Sequence, residues 1–144
     1  MGAEQRVLAA MLDKDHYSRW LGIIIDEYRV GYCRLHFTIR DEMLNGFGIV
    51  HGGVLFSAAD SAFAFACNGQ GRLTVALDAS ISFIKAAKAG EVITVESKEL
   101  HSGNRTGFYD ILLTNEQNEV VASFKGTGYR TARQVVDGGS EEAE

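Results

Sequence analysis

Gly52-Gly53-Val54-Leu55-Phe56-Ser57-Ala58-Ala59-Asp60-Ser61-Ala62-Phe63-Ala64-Phe65-Ala66-Cys67-Asn68 is the longest continuous apolar stretch in the chain. Its length and alanine content favour helix over strand, and Asn68-Gly69 supplies a stop. A helix apolar on nearly every side must be buried on most of them. Working outward, residues 40–51 are polar and glycine-rich, a loop. Before it, Cys33, Leu35, Phe37 and Ile39 alternate with Arg34, His36 and Thr38, the period of a half-buried strand. Ile23-Ile24-Ile25 opens an earlier strand, with a turn near Gly31, and Val7, Leu8, Met11 and Leu12 mark a short amphipathic helix over 4–12. Everything after the long helix reads as β-structure. Val75, Leu77, Ala79, Ile81 and Phe83 alternate with polar or small residues, and strands follow near 91–100, 106–115 and 119–131. One buried helix with five or six antiparallel strands wrapped around it is an α+β arrangement.

At 144 residues this is one domain, expected over 1–131, with a small acidic tail at 132–144 expected to be disordered. The net charge is -5 and the basic residues are scattered, which argues against a nucleic-acid groove. No apolar run reaches the roughly 18–20 residues of a membrane span. The first residues lack a signal-peptide layout, and Arg6 stands where a myristoylation signal needs Ser or Thr, so the chain reads as cytoplasmic. Cys33 and Cys67 sit in apolar sequence and read as packing residues, not a disulfide framework.

The chemistry concentrates in Asn45-Gly46-Phe47-Gly48-Ile49-Val50-His51-Gly52-Gly53 and the helix that follows. Asp60 is the only charged side chain in that helix, two turns inside it and too deep to cap it. An ionised carboxylate removed from water costs on the order of several kcal/mol unless paired or solvated. Either Asp60 meets water or an arginine and does nothing else, or it is the base or nucleophile of an enzyme. Gly52 and Gly53 begin the helix, where free N–H groups and the helix dipole can hold the oxygen of a polarised carbonyl. The plainer alternative is a tight turn. Gly52 and Asp60 are eight residues apart, about 12 Å along a helix. One carbonyl group cannot touch both within a chain, but two antiparallel helices could bring one chain's Gly52 beside the other's Asp60. A reaction that uses both groups on one carbonyl therefore entails at least a dimer with shared sites.

Asn45-x-x-Gly48-x-x-His51-Gly52-Gly53, followed by Leu55 to Asn68, resembles the signature of the phenylacetic-acid-degradation (PaaI-like) acyl-CoA thioesterases. Gly103-Asn104-Arg105-Thr106-Gly107-Phe108-Tyr109-Asp110 also resembles that family, and the similarity runs over roughly residues 16–131. The resemblance implies a hotdog fold, a homodimer often paired into a homotetramer, and hydrolysis of an acyl-CoA without a cofactor, coenzyme A being part of the substrate. It implies Asp60 as general base or nucleophile, Gly52 as backbone oxyanion donor, Asn45 orienting the nucleophile or thioester, and His51 propping the loop. Phenylacetyl-type and hydroxylated aromatic acyl groups are the first expectation, short and medium aliphatic chains the second. The chain departs from the pattern at Ala86, where relatives commonly have proline, at Glu91, where they have aspartate, and at Ala76, near which some carry a hydroxyl. Gly53 is a candidate substrate contact beside Gly52; coenzyme A brings phosphates, so Lys85, Lys88 and Arg105 are candidate contacts for those, with the backbone of the turn Gly103, Asn104, Arg105 and Thr106. Ordinary solvated surface charge is the plainer account of each.

Gly46-x-Gly48-x-x-x-Gly52 loosely fits a dinucleotide-binding loop, but the repeated strand–helix alternation of that fold is missing. His16, His36, His51 and His101 show no metal-ligand spacing. Cys67 as nucleophile has no base in view. Two alternatives remain open: a hotdog dehydratase or hydratase with His51 as base, and a hotdog acyl-CoA sensor without turnover.

Overall fold

The computed structural model describes residues 2–136. Two helices, α1 (Ala3–Lys14) and α2 (His16–Leu21), precede a hairpin of β1 (Ile24–Arg29) and β2 (Tyr32–Thr38). A single turn of 3-10 helix at Asp41–Met43 leads through the loop to α3 (Gly52–Asn68). Four strands follow: β3 (Arg72–Phe83), β4 (Val92–Ser102), β5 (Thr106–Thr114) and β6 (Val120–Gln134). All six strands form one sheet in the order β1-β2-β4-β5-β6-β3, antiparallel throughout. The sheet curves around α3, as its apolar sequence requires.

Alternation along the strands sends Phe37, Val95, Ile111, Leu113 and Phe124 onto the helix-facing side. There they meet Leu55, Ala58, Ala62, Phe63 and Phe65 of α3. Alanines let the helix lie close, and Phe63 fills the gap, packing edge-on against Tyr109 at 5.5 Å. Burying a side chain of that size contributes about 1.5–3 kcal/mol. Both cysteines are buried free thiols, and burial pushes each up to about 12, as befits packing residues.

Three details differ from expectation. The stop of α3 is not a left-handed glycine, since Gly69 has φ −61°. Instead Asn68 Nδ2 donates to the Ala64 and Thr74 carbonyls, and its Oδ1 accepts from the Thr74 N–H at 2.8 Å. Glycine is needed at 69 for space: a Cβ there would stand 2.9 Å from the Tyr28 hydroxyl. Second, β6 runs to Gln134, opposite Arg72, so the sheet extends past the expected boundary at 131. The rest of the expected tail, 137–144, lies outside the described residues. Third, β3 is an edge strand: Ala79 and Ile81 pack against the core, but Leu77 is 61% and Phe83 57% exposed.

Candidate active site

Helical geometry places Ser57, Asp60 and Ala64 on one stripe of α3, the stripe the sheet leaves open, with Phe56 at its border, edge-on to Phe124 of β6 at 5.1 Å. With Asp15, Tyr17 and Ser61 they line a cleft of about 300 Å³ between α2 and α3. Asp60 makes no hydrogen bond or ion pair among the described residues. Desolvation raises its carboxyl above the ordinary value, and the nearby Asp15 carboxylate raises it further. Among the described residues no arginine or lysine pairs with it.

Asp15 and its surroundings were not singled out from sequence. It caps α2, accepting from the Ser18 N–H at 3.0 Å and the Ser18 hydroxyl at 2.7 Å. The buried Ser18 hydroxyl lies 2.7 Å from that of Ser61, beside Asp60. The Asp-x-x-Ser spacing is a capping signature, and it would have located this turn. It says nothing about the neighbour on α3.

The other half of the expected site is elsewhere. Gly52 lies with Asn45, Ile49, Leu55, Phe83, Lys85 and Ala86 around a separate cleft of about 310 Å³. His51 caps α3: its Nδ1 accepts from the Gly53 N–H at 2.8 Å, so that nitrogen carries no proton. This spends the Gly53 N–H and corrects the expectation that Gly53 is a second free donor. The Gly52 N–H makes no hydrogen bond among the described residues. Asn45 Oδ1 accepts from the Phe47 and Ile49 N–H groups, shaping the loop, while its amide NH₂ has no such partner. The His51 backbone N–H also donates to the Met43 carbonyl at 2.9 Å, tying the start of α3 back to the loop.

The expected phosphate contacts do not gather in one place. Lys85 flanks the Gly52 cleft, 3.8 Å from Glu119. Lys88 is exposed beyond it, and its N–H donates to Glu91, which closes that turn in place of an aspartate. The Gly103–Thr106 turn stands at the opposite end of the sheet. Thr106 pairs with Tyr129 there, and Gly128 approaches Cys67 near the end of α3, whereas Gly52 abuts Phe83 at its start. Ala76 is exposed on β3. Among the described residues no cluster of His, Cys, Asp and Glu could hold a metal ion, and no helix is long and apolar enough to cross a membrane.

Residues 47–122 match the thioesterase superfamily. The chain is 41% identical over 121 residues to the acyl-coenzyme A thioesterase PaaI of Escherichia coli, covering 84% of this chain and 86% of that one. The solved structure of E. coli PaaI, from the phenylacetic acid degradation operon, superposes with a TM-score of 0.89 at 38% identity, covering 92% of this chain and 96% of that one. A hypothetical thioesterase of Streptococcus pneumoniae, solved with coenzyme A, superposes at 0.75 with 28% identity over 78% of this chain and 90% of that one. A six-stranded antiparallel sheet packed against one long helix is thus the hotdog fold of thioester hydrolases. The chain belongs to the thioesterase superfamily, in its PaaI-like branch.

Proposed function

We propose that the protein hydrolyses an acyl-CoA to the free acid and coenzyme A, at sites shared between two copies of the chain. The observation that carries this reading is the division of the site. An unpaired, desolvated carboxylate lines one cleft, and a free N–H at a helix N-terminus lines another, about 12 Å along α3. Two copies related by a two-fold axis, with α3 antiparallel, would juxtapose them. The long apolar edge of β3 supports such pairing, because an uncovered edge strand of this kind is a template for a second chain. The second pairing into a tetramer is carried by the family resemblance.

In the shared site the thioester carbonyl points at the Gly52 N–H, which stabilises the oxyanion as it forms. The Asn45 NH₂ borders the same cleft and orients the thioester or the attacking group. Asp60 of the other copy supplies the base for water, or attacks directly. Tyr17 and Phe56 line the Asp60 cleft and favour an aromatic acyl group, phenylacetyl-type or hydroxylated, over short or medium aliphatic chains. Within one chain, His51 is spent on its cap and stands nine residues from Asp60, which disfavours a dehydratase pairing of the two.

Thiol release from a panel of aromatic and aliphatic acyl-CoAs tests the reading, run beside size-exclusion measurement of the oligomer. The wild type is expected to turn over and to elute as a dimer or larger. Leu77→Glu puts a charge on the exposed edge; it should give monomers with activity lower by about 10²-fold, since the reacting groups are no longer assembled. A fully active monomer would sink the shared site. No turnover with retained acyl-CoA binding would favour a sensor.

The acid limb of kcat/KM offers a separate check. Asp60 must be ionised to act, so activity falls as pH drops through its pKa, which lies above the ordinary carboxylate value. Asp15→Asn removes one of the two causes yet keeps a good cap on α2. The limb is expected to move to lower pH, with the plateau rate little changed. An unmoved limb would show that Asp60 is not the titrating group.

A further inference from the structure

The Gly103–Thr106 turn between β4 and β5 has its polarity set from inside the protein. In an ordinary two-residue hairpin the first carbonyl accepts from the N–H three residues on. Here the Gly103 carbonyl accepts from Arg130 Nη1. The Asn104 carbonyl accepts from Arg72 Nη1 at 3.4 Å, the Arg105 carbonyl from the Arg130 backbone N–H at 2.7 Å, and the Thr106 carbonyl from the Gly103 N–H at 2.8 Å. Every carbonyl of the turn thus already has a donor within the protein. The N–H groups of Asn104 and Arg105 make no hydrogen bond among the described residues, and neither does the exposed Arg105 guanidinium.

Arg130 is only 7% exposed, an uncommon place for a charge. Its Nη2 donates to the Ser102 hydroxyl at 2.5 Å and faces Glu99 at 3.7 Å, and Glu99 also accepts from the Tyr109 hydroxyl at 3.0 Å. Three arginines, 72, 105 and 130, therefore surround the turn against one acid, in a chain whose net charge is -5. Free N–H groups presented side by side, backed by positive charge, form a concavity for an anion. Phosphate is the anion that the proposed substrate carries.

We propose that Arg130 is a positioning residue: its guanidinium takes the Gly103 carbonyl, as its backbone N–H takes that of Arg105, and this turns the Asn104 and Arg105 N–H groups out to receive a phosphate of coenzyme A. The proposal rests on the acyl-CoA reading above. Arg130 does not touch the substrate, and its effect reaches the phosphates through the turn. Arg72 supports it from the Asn104 side.

The test compares phenylacetyl-CoA with the phenylacetyl thioester of N-acetylcysteamine, which keeps the reacting bond and lacks every phosphate. For Arg130→Met the expected result is a KM for the CoA ester raised by about tenfold, with kcat within about twofold and the truncated thioester unaffected. Arg130→Lys keeps the charge without the fork and should recover only part of the loss. Equal losses on both substrates would assign Arg130 a purely structural role and overturn the proposal, as would an unchanged KM for the CoA ester. Should Arg130→Met fail to unfold cooperatively, Arg72→Gln takes its place, removing the donor to the Asn104 carbonyl, and the same KM split decides. If the wild type hydrolyses neither thioester, the acyl-CoA hydrolysis reading fails on its own. Calorimetric titration with coenzyme A then decides the proposal: weaker binding by the variant upholds it, equal binding overturns it.

Discussion

Asp60→Asn is expected to lower kcat for acyl-CoA hydrolysis by about 10²–10⁴-fold while making the fold more stable at neutral pH. The amide can neither take a proton from water nor attack the thioester. The stabilisation follows from the same desolvation that equips the carboxylate for its task. Because burial, and then Asp15, raise the folded-state pKa, the native protein binds more protons than the unfolded chain between the ordinary and the raised value. Stability therefore falls as pH rises through that window, and the full penalty of the buried charge is present above it. The asparagine variant escapes the penalty, a gain of about 0.5–2 kcal/mol, typical of relieving a strained functional site. Below the ordinary carboxylate value Asp60 is neutral in both states, and the advantage should vanish. Thermal unfolding at neutral and acid pH reads the second effect, and thiol release reads the first. A variant that keeps kcat within tenfold would remove Asp60 from the chemistry.

Gly52→Pro should be about as damaging, for a different reason. Gly52 is the first residue of α3, where proline is well tolerated, and His51 already has φ −67° and ψ 135°, compatible with a following proline. The substitution removes the N–H and leaves the helix standing, so a loss of about 10²–10³-fold in kcat is expected from the missing oxyanion donor. Gly52→Ala is the control. Its Cβ meets the same Phe83 ring at 3.0 Å, a ring exposed enough to turn aside, but it keeps the N–H and should stay within tenfold of wild type. Mixing the two inactive proteins supplies the decisive measurement. Subunits bearing Asp60→Asn and Gly52→Pro, refolded together, form dimers in which one site pairs an intact Asp60 with an intact Gly52. Random pairing restores about a quarter of the wild-type activity, since half the dimers are mixed and half their sites whole. No recovery from a mixture shown to contain mixed dimers would place both groups in one chain's site.

The bounds of α3, residues 52–68, were legible in the sequence because an apolar run of that length has one economical solution and its first glycines lie beside a loop. The strands were legible because a period of two reports which side of a sheet each residue takes, and Asp60 stood out as the lone charge in an apolar helix. These are local properties, carried by neighbours a few residues away. Which element covers a face is a different matter, decided by pairings between residues far apart. Strand order placed β3 at the edge, so Val75, Leu77 and Phe83, which alternate like core residues, remain uncovered. The packing of α2 on α3 brought Asp15 into the Asp60 cleft, and the β5–β6 pairing brought Arg130 beneath the Gly103 carbonyl. Lys85 and Arg105 looked alike as surface charges in the sequence. The direction of α3 across the sheet sent one to the Gly52 end and the other to the far end, and no local pattern encodes that.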